Sequence, residues 1–161
     1  MIDTLLHLAL MALLLAVSII DIKTMTIPDW LNASVGVVCL LFLIYNGDSW
    51  LQALLGALLG GGFLFVADRV SLWVAGKDGF GYGDVKLMLG CGLALGWQGV
   101  LIAFWVAFVS GALVGVVVLF LRKQKGHATG AYMPFGPFLC VGVWVALVWG
   151  EGLIRWWLGL G

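Results

Sequence analysis

The chain has 161 residues, of which 63% are hydrophobic and only 10% charged, and its eight acidic side chains balance its eight Lys and Arg. Composition this apolar excludes an ordinary soluble domain, and zero net charge argues against nucleic acid as a partner. The expectation is an all-α polytopic membrane protein, folded as one integral membrane domain over residues 1–161.

Six apolar windows predict a six-helix transmembrane bundle. The first runs from about Thr4 to Ile20. No Lys or Arg precedes it and Asp3 stands there instead, so it reads as a retained helix and not as a cleaved signal peptide. A polar stretch, Asp21 to Asp29, leads to a second window from about Trp30 to Tyr45, which Asn46-Gly47-Asp48-Ser49 closes. The third runs from Trp50 to about Ala67, and a loop from Asp68 to Gly83 enters the fourth, about Val85 to Leu95. Gly96-Trp97-Gln98-Gly99 reads as a tight turn into the fifth, about Val100 to Leu121. After a polar loop from Arg122 to Met133, the sixth runs from about Phe135 to Trp149, and its amphipathic tail could lie along the membrane surface.

Basic residues set the orientation. Lys23, Arg69, Lys77, Lys86, Arg122, Lys123 and Lys125 fall on the side reached after the odd-numbered segments, and only Arg155 falls on the other. The positive-inside tendency makes the first side cytoplasmic and places both termini outside. Trp50, Trp97, Trp156 and Trp157 then fall near the outer interface, where amphipathic rings settle. Gly56-xxx-Gly60, Gly92-xxx-Gly96 and Gly111-xxx-Gly115 have the spacing that lets helix backbones approach. Packing within the chain explains them more simply than a dimer face. Cys39, Cys91 and Cys140 sit in separate apolar runs with no CxxC pair, and read as packing residues. His7 and His127 make no convincing metal site, and none is expected.

The chemistry gathers in Gly79-Phe80-Gly81-Tyr82-Gly83-Asp84-Val85-Lys86-Leu87. A charge near the bilayer core costs roughly 2.5–3.5 kcal/mol on insertion scales, so Asp84 needs a reason. Asp21, Asp29, Asp68, Asp78 and Asp84 all belong to the basic side, and of these Asp21 and Asp84 directly abut apolar helices. Two carboxylates held close together cannot both ionise easily. The charged one can take a proton from water while the neutral one donates to a carbonyl. Glycines beside Asp84 would let an extended substrate strand approach the backbone. Spacing equally allows a structural role, with Asp21 and Asp29 capping the second helix and Asp84 the fourth. Phosphate binding fits poorly, since Gly79-x-Gly81-x-Gly83 is not GxGxxG and follows no predicted strand. Lys86 could anchor at the interface. The fourth segment, about a dozen residues or roughly 18 Å, is short for a hydrocarbon core of about 30 Å. Asp84 therefore lies below the membrane surface unless the helix begins upstream of it.

These residues resemble a known family. Gly81-Tyr82-Gly83-Asp84-Val85-Lys86-Leu87 looks like the GxGD signature of the type IV prepilin peptidases. Asp21 to Asn32 resembles their first aspartate block, an Asp followed by an Ile-Pro-Asp/Asn-x-Leu run, and Met133-Pro134-Phe135-Gly136-Pro137-Phe138-Leu139 resembles their Pro-Phe-Gly-Pro element. The resemblance implies an aspartic endopeptidase of the bacterial inner membrane. Such an enzyme removes the short basic leader of prepilin or pseudopilin precursors at the cytoplasmic face, typically after glycine, without metal or organic cofactor. By position it makes Asp21 and Asp84 the catalytic pair, with Asp29 the rival to Asp21. Gly81, Gly83, Lys86, Pro134, Phe135, Gly136 and Pro137 would then serve the substrate. Longer members carry an N-terminal extension associated with S-adenosylmethionine-dependent methylation; this sequence starts at the first helix, so that second activity is not expected. An archaeal preflagellin-type peptidase is the nearest alternative. A small proton-coupled transporter and a scaffold with a degenerate site are alternatives of other classes. The lack of an internal repeat argues against the transporter, and three intact blocks argue against the scaffold.

Overall fold

The computed structural model describes residues 2–76, 79–124 and 134–157. Lys77, Asp78, Lys125, His127 and Met133 lie outside them, as do the side chains of Arg122, Lys123, Glu151, Trp156 and Trp157. The described residues form five helices and no strand: α1 (Ile2–Thr24), α2 (Asp29–Asn46), α3 (Trp50–Ala75), α4 (Tyr82–Gln124) and α5 (Gly136–Trp157). Helices α1 to α4 are long and apolar enough to cross a membrane, and α5 adds a shorter apolar stretch, Gly136–Gly150. Leu5, Leu15, Leu51, Leu58 and Trp105 are each more than half exposed on their outer faces. Such a surface is unfavourable in water and suits lipid. The protein is an all-helical, multi-pass membrane protein.

The expected fourth and fifth segments are joined in α4, which has a single break at the anticipated turn. At Gly96 φ is 62° and ψ 177°, a conformation open essentially to glycine alone. A straight helix would place Phe108 about 39 Å from Tyr82 at 1.5 Å per residue. The Phe80 and Phe108 rings are instead 6.4 Å apart. The chain therefore doubles back at Gly96, and the two halves of α4 run antiparallel.

Backbone approach is what holds this hairpin against its neighbours. Gly56 of α3 lies against the backbone of Gly92 and Gly96, and a Cβ at Gly60 would meet the Met88 carbonyl oxygen at 2.6 Å. Small residues here gain close van der Waals packing, the main source of helix association in lipid. Two of the three small-residue motifs are thus used within the chain. In the third, Gly111 packs on Phe135 and Phe138, while a Cβ at Gly115 would meet nothing within 4 Å from other elements among the described residues. The core runs through the middle of the bundle, from Leu10, Leu14 and Val17 of α1 to Leu139 and Val143 of α5. Cys39, Cys91 and Cys140 are all buried in it.

Three expected boundaries move. α1 continues to Thr24, so Asp21 belongs to a helix and not to a loop. α3 continues to Ala75, because Val70, Leu72, Trp73 and Val74 prolong the apolar run beyond Asp68 and Arg69. Asp68, expected in a loop, lies within this helix and is buried. α5 continues to Trp157, so the tail extends the helix instead of forming a separate surface segment.

Candidate active site

Three inward-facing stripes end at one place. On α1 the buried residues are Leu10, Leu14, Val17 and Asp21, whose spacings of four, three and four keep them on one helical face. On α4 the stripe begins at Asp84 and continues through Leu87, Met88 and Cys91. On α5 it begins at Gly136 and continues through Leu139, Cys140 and Val143. Asp21 closes the first stripe and Asp84 opens the second. Each carboxylate thus occupies a position where a helix elsewhere presents an apolar core residue.

Asp21 and Asp84 line one cavity of about 460 Å³, together with Ile27, Phe80, Gly81 and Phe135. They are 5% and 7% exposed. The Gly136 N–H donates to Asp21 Oδ2 at 3.0 Å. A Cβ on Gly136 would lie 2.6 Å from that oxygen, so the contact requires glycine. Asp84 Oδ1 is buried and accepts from no donor among the described residues.

The GxGD segment is set by α4 and by the stretch between α1 and α2. The Gly81 carbonyl accepts from the amides of Asp84 and Val85, at 3.0 and 3.3 Å, and so starts the helix. A Cβ on Gly83 would come 2.9 Å from Ile27 Cβ, which shows how closely the first block packs on the second. Asn32 Nδ2 donates to the Gly83 carbonyl at 3.2 Å. Rings of Phe80, Phe108 and Phe135 form an aromatic wall, with Phe135 5.1 Å from Phe80 and 5.4 Å from Phe108.

For α2 the capping alternative does not hold. Pro28 occupies the α2 N-cap without any side-chain cap bond, and Asp29 is the first helical residue. Asp84 is the third residue of α4, and its carboxylate also meets the Gly81 amide at the start of that helix. Asp29 is 78% exposed and pairs with Lys86, whose Nζ is 2.6 Å from Asp29 Oδ1. Both line the cavity, as do Gly83 and Pro134. Pro137 does not line it; it sits in the first turn of α5, where its missing N–H costs no helical bond. Gly136 meets Asp21 directly, a closer role than the substrate-path one expected of it.

Sequence reasoning passed over Asn32 and Asp68. Asp68 is 2% exposed, and its Oδ1 accepts from the amides of Gly79 and Phe80 just ahead of the GxGD segment. The apolar residues that follow Asp68 were the available signal. Among the described residues no cluster of three His, Cys, Asp or Glu could hold a metal ion. A larger cavity, about 650 Å³, lies away from the aspartate pair near Asp3, His7, Asn46, Gln52 and Gln98. No comparable pair of buried carboxylates lines it.

Residues 8–116 match the family described as the type IV leader peptidase family. The prepilin leader peptidase/N-methyltransferase of Aeromonas hydrophila is 36% identical over 156 residues, covering 96% of this chain and 53% of its own length. The enzyme of the same name from Pseudomonas aeruginosa is 36% identical over 148 residues, covering 88% of this chain and 48% of its own. That of Stutzerimonas stutzeri is 38% identical over 148 residues, covering 86% and 47%. The chain spans about half the length of the curated relatives it matches. No solved structure matches it.

Proposed function

The chain belongs to the type IV leader peptidase family, and from that premise we propose that it is a membrane-embedded aspartic endopeptidase. Its substrates are prepilin or pseudopilin precursors, each a short basic leader followed by an apolar helix. Cleavage follows a glycine at the cytoplasmic face of the bacterial inner membrane. The observation that carries this reading is the meeting of Asp21 and Asp84, from helices far apart in sequence, in one cavity as the last and first rungs of buried stripes.

In the proposed reaction, one carboxylate of the pair, ionised, removes a proton from water while the oxygen attacks the scissile carbonyl carbon. The other carboxyl gives its proton to the carbonyl oxygen, which yields a neutral tetrahedral diol. Proton return to the amide nitrogen then breaks the C–N bond, releasing the leader carboxyl and the new amino terminus. The Gly136 N–H holds Asp21 in place for this step. Gly81 and Gly83 keep the approach to Asp84 free of side chains, and Phe80, Pro134 and Phe135 wall the path of the substrate. Lys86 and Asp29 stand at its polar rim. In the topology that goes with this reading the two halves of α4 cross separately. That makes six crossings with α1, α2, α3 and α5, puts both termini outside, and opens the cavity to the cytoplasm.

The test is co-expression with a prepilin precursor, with leader removal read as a shift in mass. Asp21→Ala and Asp84→Ala each abolish processing while the protein still accumulates in the membrane. Processing retained in either variant rules out the two-aspartate mechanism.

A further inference from the structure

We infer that Asp68, which is buried and does not line the cavity, is a positioning residue that anchors the wall along which the peptide lies; this rests on the peptidase reading above. Asp68 belongs to α3 and is not among the residues lining the aspartate cavity. Yet Gly79, Phe80, Gly81 and Tyr82, four consecutive residues, do line it. Asp68 Oδ1 accepts from the Gly79 amide at 3.1 Å and the Phe80 amide at 3.2 Å, and Oδ2 accepts from Arg69 Nη2 at 2.7 Å.

The neighbouring residue completes the clamp. Arg69 Nη2 also donates to the Tyr82 hydroxyl at 2.6 Å, and its guanidinium carbon stands 5.5 Å from the Tyr82 ring centre and 5.6 Å from that of Phe65. Two adjacent side chains of α3 thereby hold Gly79, Phe80 and Tyr82, the residues on either side of Gly81. Gly79 itself is pressed on α3, since a Cβ there would lie 2.7 Å from Ser71 Cβ. A carboxylate that is 2% exposed is expensive to bury unless donors converge on it. Here two of the three donors are backbone amides of the segment leading into Asp84, so the charge is committed to fixing that segment. Displacing it would move the wall relative to Asp21, and a shift of about 1 Å can cost about 10²-fold in rate.

Two variants separate anchoring from mere stability. Asp68→Asn keeps an oxygen for the two amides; Asp68→Leu, of similar bulk, keeps none. In detergent-purified full-length protein at matched folded amount, Asp68→Leu is expected to lose about 10²-fold in kcat with a displaced pH–rate profile. Asp68→Asn is expected to recover most of that loss. If both variants lower only the amount of folded protein, with kcat, KM and pH profile per folded molecule unchanged, the positioning role is overturned. Hydrogen exchange gives a readout that needs no substrate. The Gly79 and Phe80 amides are slow in the wild type and at least about tenfold faster in Asp68→Leu, whereas equal protection overturns the anchor whatever the protein cleaves. Faster exchange beside a wild type that processes no prepilin supports the anchor and refutes the peptidase reading instead.

Discussion

At the scale of residues, the difference between Asp21 and Asp29 is one of environment. Asp21 is 5% exposed and accepts the Gly136 N–H, whereas the Asp29 side chain is 78% exposed and meets Lys86 at the rim. An exposed ion pair of this kind contributes about 0–1 kcal/mol. Asp29→Asn is therefore expected to process precursor within a few-fold of wild type, and loss of processing would identify Asp29 as the catalytic acid in place of Asp21. Gly136 provides the opposite case. A methyl group there would come 2.6 Å from Asp21 Oδ2, so Gly136→Ala must displace the carboxylate and lengthen the 3.0 Å bond. Processing by Gly136→Ala is expected to slow by about 10²-fold, measured as initial rates on purified protein. An unchanged rate would show that the position of Asp21 is immaterial.

Among the elements, α4 decides the architecture. Its reversal at Gly96 requires a φ of 62° that a residue with a Cβ adopts only under strain. Gly96→Ala is expected to destabilise the protein by about 1–3 kcal/mol, read as a lower thermal midpoint in detergent. Gly62→Ala is the matched control: Gly62 is in mid-helix with nothing within 4 Å of its Cβ position. There alanine is expected to be neutral or to raise stability by about 0.5–1 kcal/mol. Equal midpoints for the two variants would mean that the break at Gly96 does not constrain the fold. The first half of α4, Tyr82 to Leu95, is about 21 Å long at 1.5 Å per residue, which is short of a hydrocarbon core of about 30 Å. The helix starts only two residues upstream of Asp84, so the expected shortness of this segment persists.

For the whole molecule, the two sides of the aspartate site differ in polarity. Beyond Gly111, which packs on Phe135 and Phe138, Ala112 to Leu121 carry α4 about 15 Å further. Leu113, Val116, Leu119 and Phe120 on that extension are more than 60% exposed, an apolar surface that suits lipid. On the α1 and α2 side the cavity is lined by Thr26 and Asp29, both exposed, with exposed Lys23 and Thr24 close by in the chain. In the proposed reading, water reaches the carboxylates from this polar side. With the proposed orientation, a membrane-impermeant thiol reagent outside the cell is expected to label Asp48→Cys and leave Lys23→Cys untouched. The reverse pattern would invert the topology and place the site on the outer face.

The sequence by itself determined what depends on local composition and spacing. Apolar runs long enough for a bilayer can satisfy their backbone groups only as helices, so α1 to α3 follow from the chain order directly. The Asp21 and Gly81–Asp84 blocks were likewise visible, because a carboxylate at the edge of an apolar run is costly wherever the run packs. Tertiary structure decided what depends on residues distant in the chain. The Gly136 amide reaches Asp21 across 115 positions, and Asp68 reaches Gly79 and Phe80 from an adjoining helix. Neither distance leaves a trace in periodicity. The turn at Gly96-Trp97-Gln98-Gly99 was legible but its form was not, since that stretch is compatible with an open turn or with helix resuming at once. Only packing of Gly56 and Gly60 against Gly92, Gly96 and Met88 selects the second, because no bulkier pair of helices could approach so closely.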